Sequence, residues 1–131
     1  MVALDLEKID EEIGSPDENT RWQAVIALAE HGHCEHAPDV IWPLVVKWGS
    51  SENEDVRTAI ATCVLEHILE CHFDEYFEKT AVLVRSGNKE FGDTLSRCWK
   101  FDNANIPENN ERWDDLDKFI LSQCKSKASK S

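Results

Sequence analysis

Histidine and cysteine, side chains that commonly bind zinc, are concentrated at two places in this sequence. One is the run His31-Gly32-His33-Cys34-Glu35-His36, and the other holds His67, Cys71 and His72, so that all five histidines fall within these two groups. Because His67 and Cys71 are four residues apart, they would share one face of a helix. Zinc takes four nitrogen or sulfur ligands in a tetrahedron. The candidate ligands are His33, Cys34, His36 and Cys71.

The spacing of this cluster nevertheless matches no standard zinc signature, and histidines near helix ends also bind free helix carbonyls. Cys34 beside two histidines has the composition of a Cys–His nucleophile pair, but neighbours in sequence rarely reach the required geometry. The chain has no Gly-x-Ser-x-Gly motif and no glycine-rich phosphate loop. We therefore predict no metal, no cofactor and no enzymatic activity, with a zinc or thiol enzyme kept as an alternative.

Apolar residues recur along the chain with the period of a helix, and glycine or proline separates the runs. No stretch alternates apolar and polar residues as a half-buried strand would. The sequence therefore predicts an all-α fold, with residues 1–124 in one domain and a disordered basic tail over 125–131. The predicted helices cover 2–13, 19–31, 38–49, 56–69, 74–85, 89–100 and 111–124, with a loop at 101–110. Asn19 or Thr20 would cap the second helix, and the sequence Ser51–Asp55 would cap the fourth. Pro43 would lie either in the first turn of the third helix or at a kink in it.

The sequence partly matches itself when it is shifted by 36 residues. Self-similarity at such a period is typical of stacked helical hairpins. In the third unit the match weakens, and only the apolar period remains, through Phe91, Leu95, Cys98 and Trp99. The matched pairs are Glu18 with Glu54, Arg21 with Arg57, Ala24 with Ile60, Ala27 with Cys63, Leu28 with Val64, Glu30 with Glu66, His31 with His67, and His36 with His72.

The stretches 20–28 (Thr-Arg-Trp-Gln-Ala-Val-Ile-Ala-Leu) and 55–64 (Asp-Val-Arg-Thr-Ala-Ile-Ala-Thr-Cys-Val) resemble the second helix of a HEAT repeat. That family favours an acid, then Val-Arg, then apolar residues at helical spacing. The resemblance to HEAT and armadillo-like proteins covers residues 1–100, and a chance pair of amphipathic helices is the alternative. It implies a short right-handed α-solenoid of about three hairpins. A C-terminal helix would cap its open end, with Trp113, Leu116, Phe119 and Ile120 inward.

Charge narrows the choice of partner. The chain has a net charge of -12, and its last seven residues hold three lysines and no acid. An acidic field repels phosphate backbones and anionic lipid, and no apolar run is long enough to span a bilayer. We therefore predict a basic protein as partner, with no nucleic acid and no membrane; the alternative is that the acidity serves solubility alone.

The start of the chain and its cysteines predict a compartment. The first residues are acidic and lack the basic region of a signal peptide. Five cysteines, an odd number, suggest reduced thiols rather than a disulfide framework. Together they predict a cytoplasmic protein.

A partner-binding surface follows from the resemblance. In HEAT-like solenoids one side of the second helices lines the concave face, which binds partners. Trp22 is the large aromatic of that face, although it could instead pack against the first helix or the chain end. The predicted contact residues are Trp22, Gln23, Ile26, Glu30, Thr58, Thr62 and Glu66.

The predicted function is an acidic module that inhibits a basic protein. Its most concrete form is a bacterial immunity protein, which neutralises a cognate toxin by covering or flanking a cationic active site. Complementary charge would speed association and favour the right partner. The alternative is a general scaffold or regulatory subunit that holds a peptide in the repeat groove.

Overall fold

The computed structural model describes residues 6–30, 38–100 and 102–129. Within these ranges every regular element is helical and there is no strand, so the all-α prediction is confirmed. Short 3₁₀ turns at Pro38–Val40 and Asp102–Asn105 precede the third and the last helices. The seven helices are α1 (Leu6–Ile13), α2 (Glu18–Glu30), α3 (Trp42–Gly49), α4 (Glu54–Ile60 and Glu66–Cys71, joined by a π-helical segment, Ala61–Leu65), α5 (Phe73–Arg85), α6 (Lys89–Ser96) and α7 (Pro107–Ser129).

The turns inside the three hairpins repeat one local sequence. Ser-x-Asp or Ser-x-Asn occurs at 15–17, 51–53 and 86–88, directly before α2, α4 and α6. In each turn the Asp or Asn side chain accepts from backbone amides at the start of the helix: Asp17 from Thr20, Asn53 from Asp55, and Asn88 from Phe91, each at 2.9 Å. These bonds satisfy amides that have no partner inside the helix.

Two of these caps differ in how well the sequence predicted them. The α2 cap is Asp17, not Asn19 or Thr20 as predicted, because α2 begins one residue before Asn19, at Glu18. The predicted capping sequence Ser51–Asp55 is confirmed, with Asn53 as the cap. In the third turn Gly87 has a φ of 108°, a conformation that favours glycine.

The helices pair in chain order as hairpins, α1 with α2, α3 with α4 and α5 with α6. We call α1, α3 and α5 the layer of first helices and α2, α4 and α6 the layer of second helices. Helices α2, α4 and α6 contact one another in chain order, and each also contacts the first helix of its own hairpin. The first helices are linked in the same order. Asp10 of α1 accepts from the indole of Trp48 in α3 at 2.8 Å. Trp42 of α3 meets Tyr76 of α5 edge to face, with ring centroids 5.1 Å apart. The layer of first helices is therefore held by aromatic side chains.

Helix α7 closes one end of these layers. Its Trp113 and Leu116 are buried, and Trp113 stacks near Phe73 and Phe77 of α5. Phe119 and Ile120 are partly buried against the same core. The four residues predicted to face inward on this helix therefore do so.

Helix boundaries differ from the prediction where the sequence has no sharp stop. Helix α6 ends at Ser96 rather than Lys100. Helix α7 begins at Pro107, because proline fits the first turn of a helix, and it runs to Ser129 rather than to Cys124. No glycine or proline follows Pro107 to end it. The backbone up to Ser129 is thus helical, where the sequence predicted a disordered tail.

The two interpretations of Pro43 are resolved, since it lies in the first turn of α3 and does not kink it. A proline there loses no helical hydrogen bond. Among the described residues, no helix is long and apolar enough to cross a lipid bilayer.

Gly49 and Gly92 offer a matched test of the packing. A Cβ at Gly49 would lie 2.7 Å from Cε1 of Phe91, a fully buried ring, whereas a Cβ at Gly92 would lie 3.5 Å from Cγ1 of Ile120. We expect Gly49→Ala to lower the free energy of unfolding by about 1–3 kcal/mol through overpacking. Gly92→Ala should leave it unchanged or raise it by up to about 1 kcal/mol, because alanine favours a helix. Urea unfolding measures both, and equal losses would contradict this packing.

Candidate partner-binding face

The predicted contact residues of α2 lie on two sides of the helix. Gln23, Glu30 and Ile26 are exposed, the last at 43%. Trp22 is partly buried, and its Nε1 donates to the two carboxylate oxygens of Asp55 in α4 at 3.0 and 3.2 Å. The indole N–H therefore points towards the neighbouring helix α4, whereas packing of Trp22 against the start of the chain falls on residues 1–5, outside the described residues.

The predicted threonines of α4 are partly exposed, and their hydroxyls already have partners. The Thr58 hydroxyl donates to the Glu54 carbonyl at 3.0 Å and accepts from Arg97 of α6 at 3.0 Å. The Thr62 hydroxyl donates to the Thr58 carbonyl at 2.9 Å. A partner could contact these side chains by their methyl groups more readily than by their hydroxyls.

Glu66 does not lie on the exposed side where the sequence placed it. It is only 5% exposed, whereas its counterpart one repeat earlier, Glu30, is exposed. A π-helical segment, Ala61–Leu65, lies just before Glu66 and fits more residues into a turn than an α-helix does, and His67 after it faces solvent. Ala59, seven residues before Glu66 and ahead of this segment, is buried as well, and α4 has both α2 and α6 as neighbours. The assumption of a regular helix was wrong here.

The Glu66 carboxylate has a structural task. Its Oε2 accepts from the backbone N–H of Trp99 at 2.8 Å. Burial raises the pKa of the Glu66 carboxyl, and the hydrogen bond from Trp99 offsets only part of that effect. The bond ties the chain after α6 to the second half of α4.

Trp99 is the exposed aromatic that the sequence analysis missed. Its side chain is 71% exposed, although it fits the apolar period of the third unit. It lies beyond Ser96, where α6 ends, so the helical period no longer decides which way it points. A large exposed aromatic on a fixed backbone is a common feature of protein interfaces.

Arg21 links the N-terminal ends of helices α2 and α4. Nη1 of Arg21 donates to the carbonyls of Ser15 and Pro16 at 3.1 and 3.0 Å. Nη2 of the same guanidinium donates to Asp55 at 3.1 Å. One side chain therefore fixes both its own turn and the position of α4.

Arg57 repeats this arrangement one unit later. Its Nη1 donates to the carbonyls of Ser51 and Glu52 at 2.9 and 3.1 Å, and its Nε to Asp93 of α6 at 2.9 Å. Arg97 donates to the same oxygen of Asp93 at 2.9 Å. Burial raises the pKa of Asp93, but the hydrogen bonds from Arg97 and Arg57 outweigh it, so this pKa lies below its usual value.

The candidate zinc ligands cannot be assembled from the described residues. His33, Cys34 and His36 lie outside them. Cys71 is disulfide-bonded, so its sulfur is not available as a thiolate ligand. No group of three or more metal-binding side chains is found in the part of the chain that the structure describes.

The cysteines also correct an expectation about redox state. Because Cys71 is disulfide-bonded, the prediction that all five thiols are reduced is wrong in this structure. The cytoplasmic assignment loses that support. Cys63 and Cys98 are free, and burial raises the pKa of each thiol, that of Cys98 well above its usual value. Raised thiol pKa values disfavour the nucleophilic thiolate.

Comparison with protein-family models, curated proteins and solved structures found no match to this chain. The resemblance to HEAT-like repeats therefore still depends on the sequence pattern alone.

The hydrogen bonds from Trp22 and Arg21 to the Asp55 carboxylate can be tested by removing that carboxylate. We expect Asp55→Ala to lower the free energy of unfolding by about 1–3 kcal/mol, because two partly buried donors lose their acceptor. Glu52→Ala, an exposed acid of the same turn, is the control and should change it by less than about 0.5 kcal/mol. Urea unfolding measures both; similar effects would argue against a link between α2 and α4.

Glu66 predicts a particular pH dependence of stability. A carboxyl whose pKa is raised on folding holds its proton more tightly in the folded state, so its contribution to stability falls as pH rises through that range. Glu66→Gln keeps an acceptor for the Trp99 amide but does not titrate. We expect the Tm of the variant, relative to the native chain, to increase between about pH 4 and pH 7. Exposed Glu90→Gln is the control, and a Tm difference independent of pH would refute the assignment.

Proposed function

We propose that the chain is a protein-binding module for a basic partner, and that it contacts this partner through the side formed by α2, α4 and the segment at Trp99. We further propose that its hairpins are successive units of a short right-handed α-solenoid. The order of contacts among α2, α4 and α6 supports this arrangement. The partner side is defined by Trp22, Gln23, Ile26, Glu30, Thr58, Thr62 and Trp99; Glu66 is buried and acts by holding Trp99.

One observation carries the choice of a basic partner. The three arginines of this layer, Arg21, Arg57 and Arg97, are all bound to carboxylates of the chain itself. Glu30 of the same layer is exposed and has no salt bridge within the described residues. Glu30 therefore presents a negative charge that the arginines of this side do not neutralise. A surface of this kind favours cationic proteins and speeds their association.

An inhibitor of a toxin is the most specific form of this proposal. Many toxins act on nucleic acids and carry cationic active sites, which an acidic surface complements. The exposed side chains of Ile26 and Trp99, at 43% and 71%, would supply the apolar contacts that charge alone does not provide. No catalytic step by this chain is part of the proposal.

Binding to purified basic domains tests it. The panel should contain ribonuclease and deoxyribonuclease toxin domains, with acidic proteins of similar size as controls. We expect a Kd in the nanomolar range for one basic domain, rising at least about tenfold between about 50 mM and about 500 mM salt. Isothermal titration calorimetry measures both quantities.

Matched charge reversals locate the surface. Glu30→Lys lies on the proposed side and should weaken binding about tenfold or more. Glu108→Lys makes the same change at an exposed position of α7 and should leave the affinity within about twofold. If no basic domain binds, or if salt and both variants have equal, small effects, the proposal is wrong. Tight binding of a peptide that does not depend on salt would favour the scaffold alternative.

A further inference from the structure

A cleft of about 230 Å³ lies between the segment after α6 and the middle of α7. Its apolar wall is formed by Trp113, Ile120 and Leu121, and its polar groups include Asp117 and Lys100. The Leu121 side chain is 58% exposed at the surface. The cleft is therefore amphipathic, with aliphatic side chains beside a carboxylate.

Asp117 is partly buried in this cleft and forms no salt bridge within the described residues. Among the described residues of the lining, Lys100 is the cation, and its Nζ donates to Asn110 at 2.6 Å and to Asp114 at 3.0 Å. Burial raises the pKa of Asp117, and the charge of Lys100 offsets only part of this effect. A carboxylate held in this way gains most from a cation supplied from outside.

The neighbouring chain is fixed in place. Cys98 lines the cleft, and its thiol donates to the Ala61 carbonyl at 3.5 Å. The next residue, Trp99, is held through its amide by Glu66. The segment at Cys98 and Trp99, which forms one wall of the cleft, is thus anchored to both ends of the π-helical segment of α4. The exposed indole of Trp99 directly follows this wall.

We propose that this cleft receives a lysine or arginine side chain of the basic partner, with the aliphatic stem against Ile120 and Leu121 and the charged end at Asp117. This inference rests on the proposed function and adds a specific subsite to it. The occupant follows from charge complementarity: an aliphatic wall and an unbridged carboxylate together match a long cationic side chain. A neutral side chain of the same shape would leave Asp117 without a counter-charge.

Capped tripeptides test the subsite on the full chain. The probes are acetyl-Gly-Arg-Gly-amide, the lysine peptide, and the citrulline peptide, which is shaped like arginine but neutral. We expect the two cationic peptides to shift the Trp113 indole N–H signal in ¹H–¹⁵N spectra, with Kd on the order of 1 mM, and the citrulline peptide to bind at least about fivefold more weakly.

Asp117→Asn should remove this binding, whereas Asp115→Asn, the same change at an exposed position of α7, should not. Equal binding of arginine and citrulline peptides, or an unchanged Kd in Asp117→Asn, would overturn the inference. Either of these two results would reject the subsite but not the proposed function, provided that a basic domain still binds the chain with an affinity that depends on salt. Conversely, cationic peptides that bind at Asp117 when no basic domain binds would support the subsite and reject the proposed function.

Discussion

The guanidinium groups of Arg21 and Arg57 set the spacing of the second helices. Each has donors enough to bind two carbonyls of its own turn and a carboxylate of the next second helix, Asp55 or Asp93. Arginine suits this task because it carries five N–H donors in a planar fork and stays charged. Arg21 reaches its carboxylate through Nη2 and Arg57 through Nε, so the two helix pairs are linked at equivalent positions by different guanidinium nitrogens.

This use of arginine has a consequence for the surface. The three arginines beside the second helices, Arg21, Arg57 and Arg97, are used in internal contacts, while the acids Glu18, Glu30 and Glu90 and the single lysine Lys89 are exposed. Acids in the first turn of a helix, as Glu18 and Glu90 are, also stabilise it through the macrodipole. This is the surface at which we propose that a cationic partner binds.

The π-helical segment of α4 breaks the regularity of the repeat at one place. Glu66 follows it directly and points inward, where the carboxylate holds the Trp99 amide, and Trp99 itself remains exposed beyond the end of α6. Such segments occur often at functional sites. Here it joins the proposed partner side to the cleft at Asp117, since the same stretch of chain forms the edge of both.

The sequence alone determined the helical class, the repeat of 36 residues and the inward side of α7, because apolar period and turn residues are local signals. It placed Arg21 and Arg57 in equivalent positions, and the structure gives them equivalent contacts. Only the tertiary structure decided that Glu66 is buried, that Trp99 is exposed and that Cys71 is disulfide-bonded. A π-helical segment, a helix end and a covalent bond between two cysteines depend on packing across the chain, and the period of a helix carries no information about them.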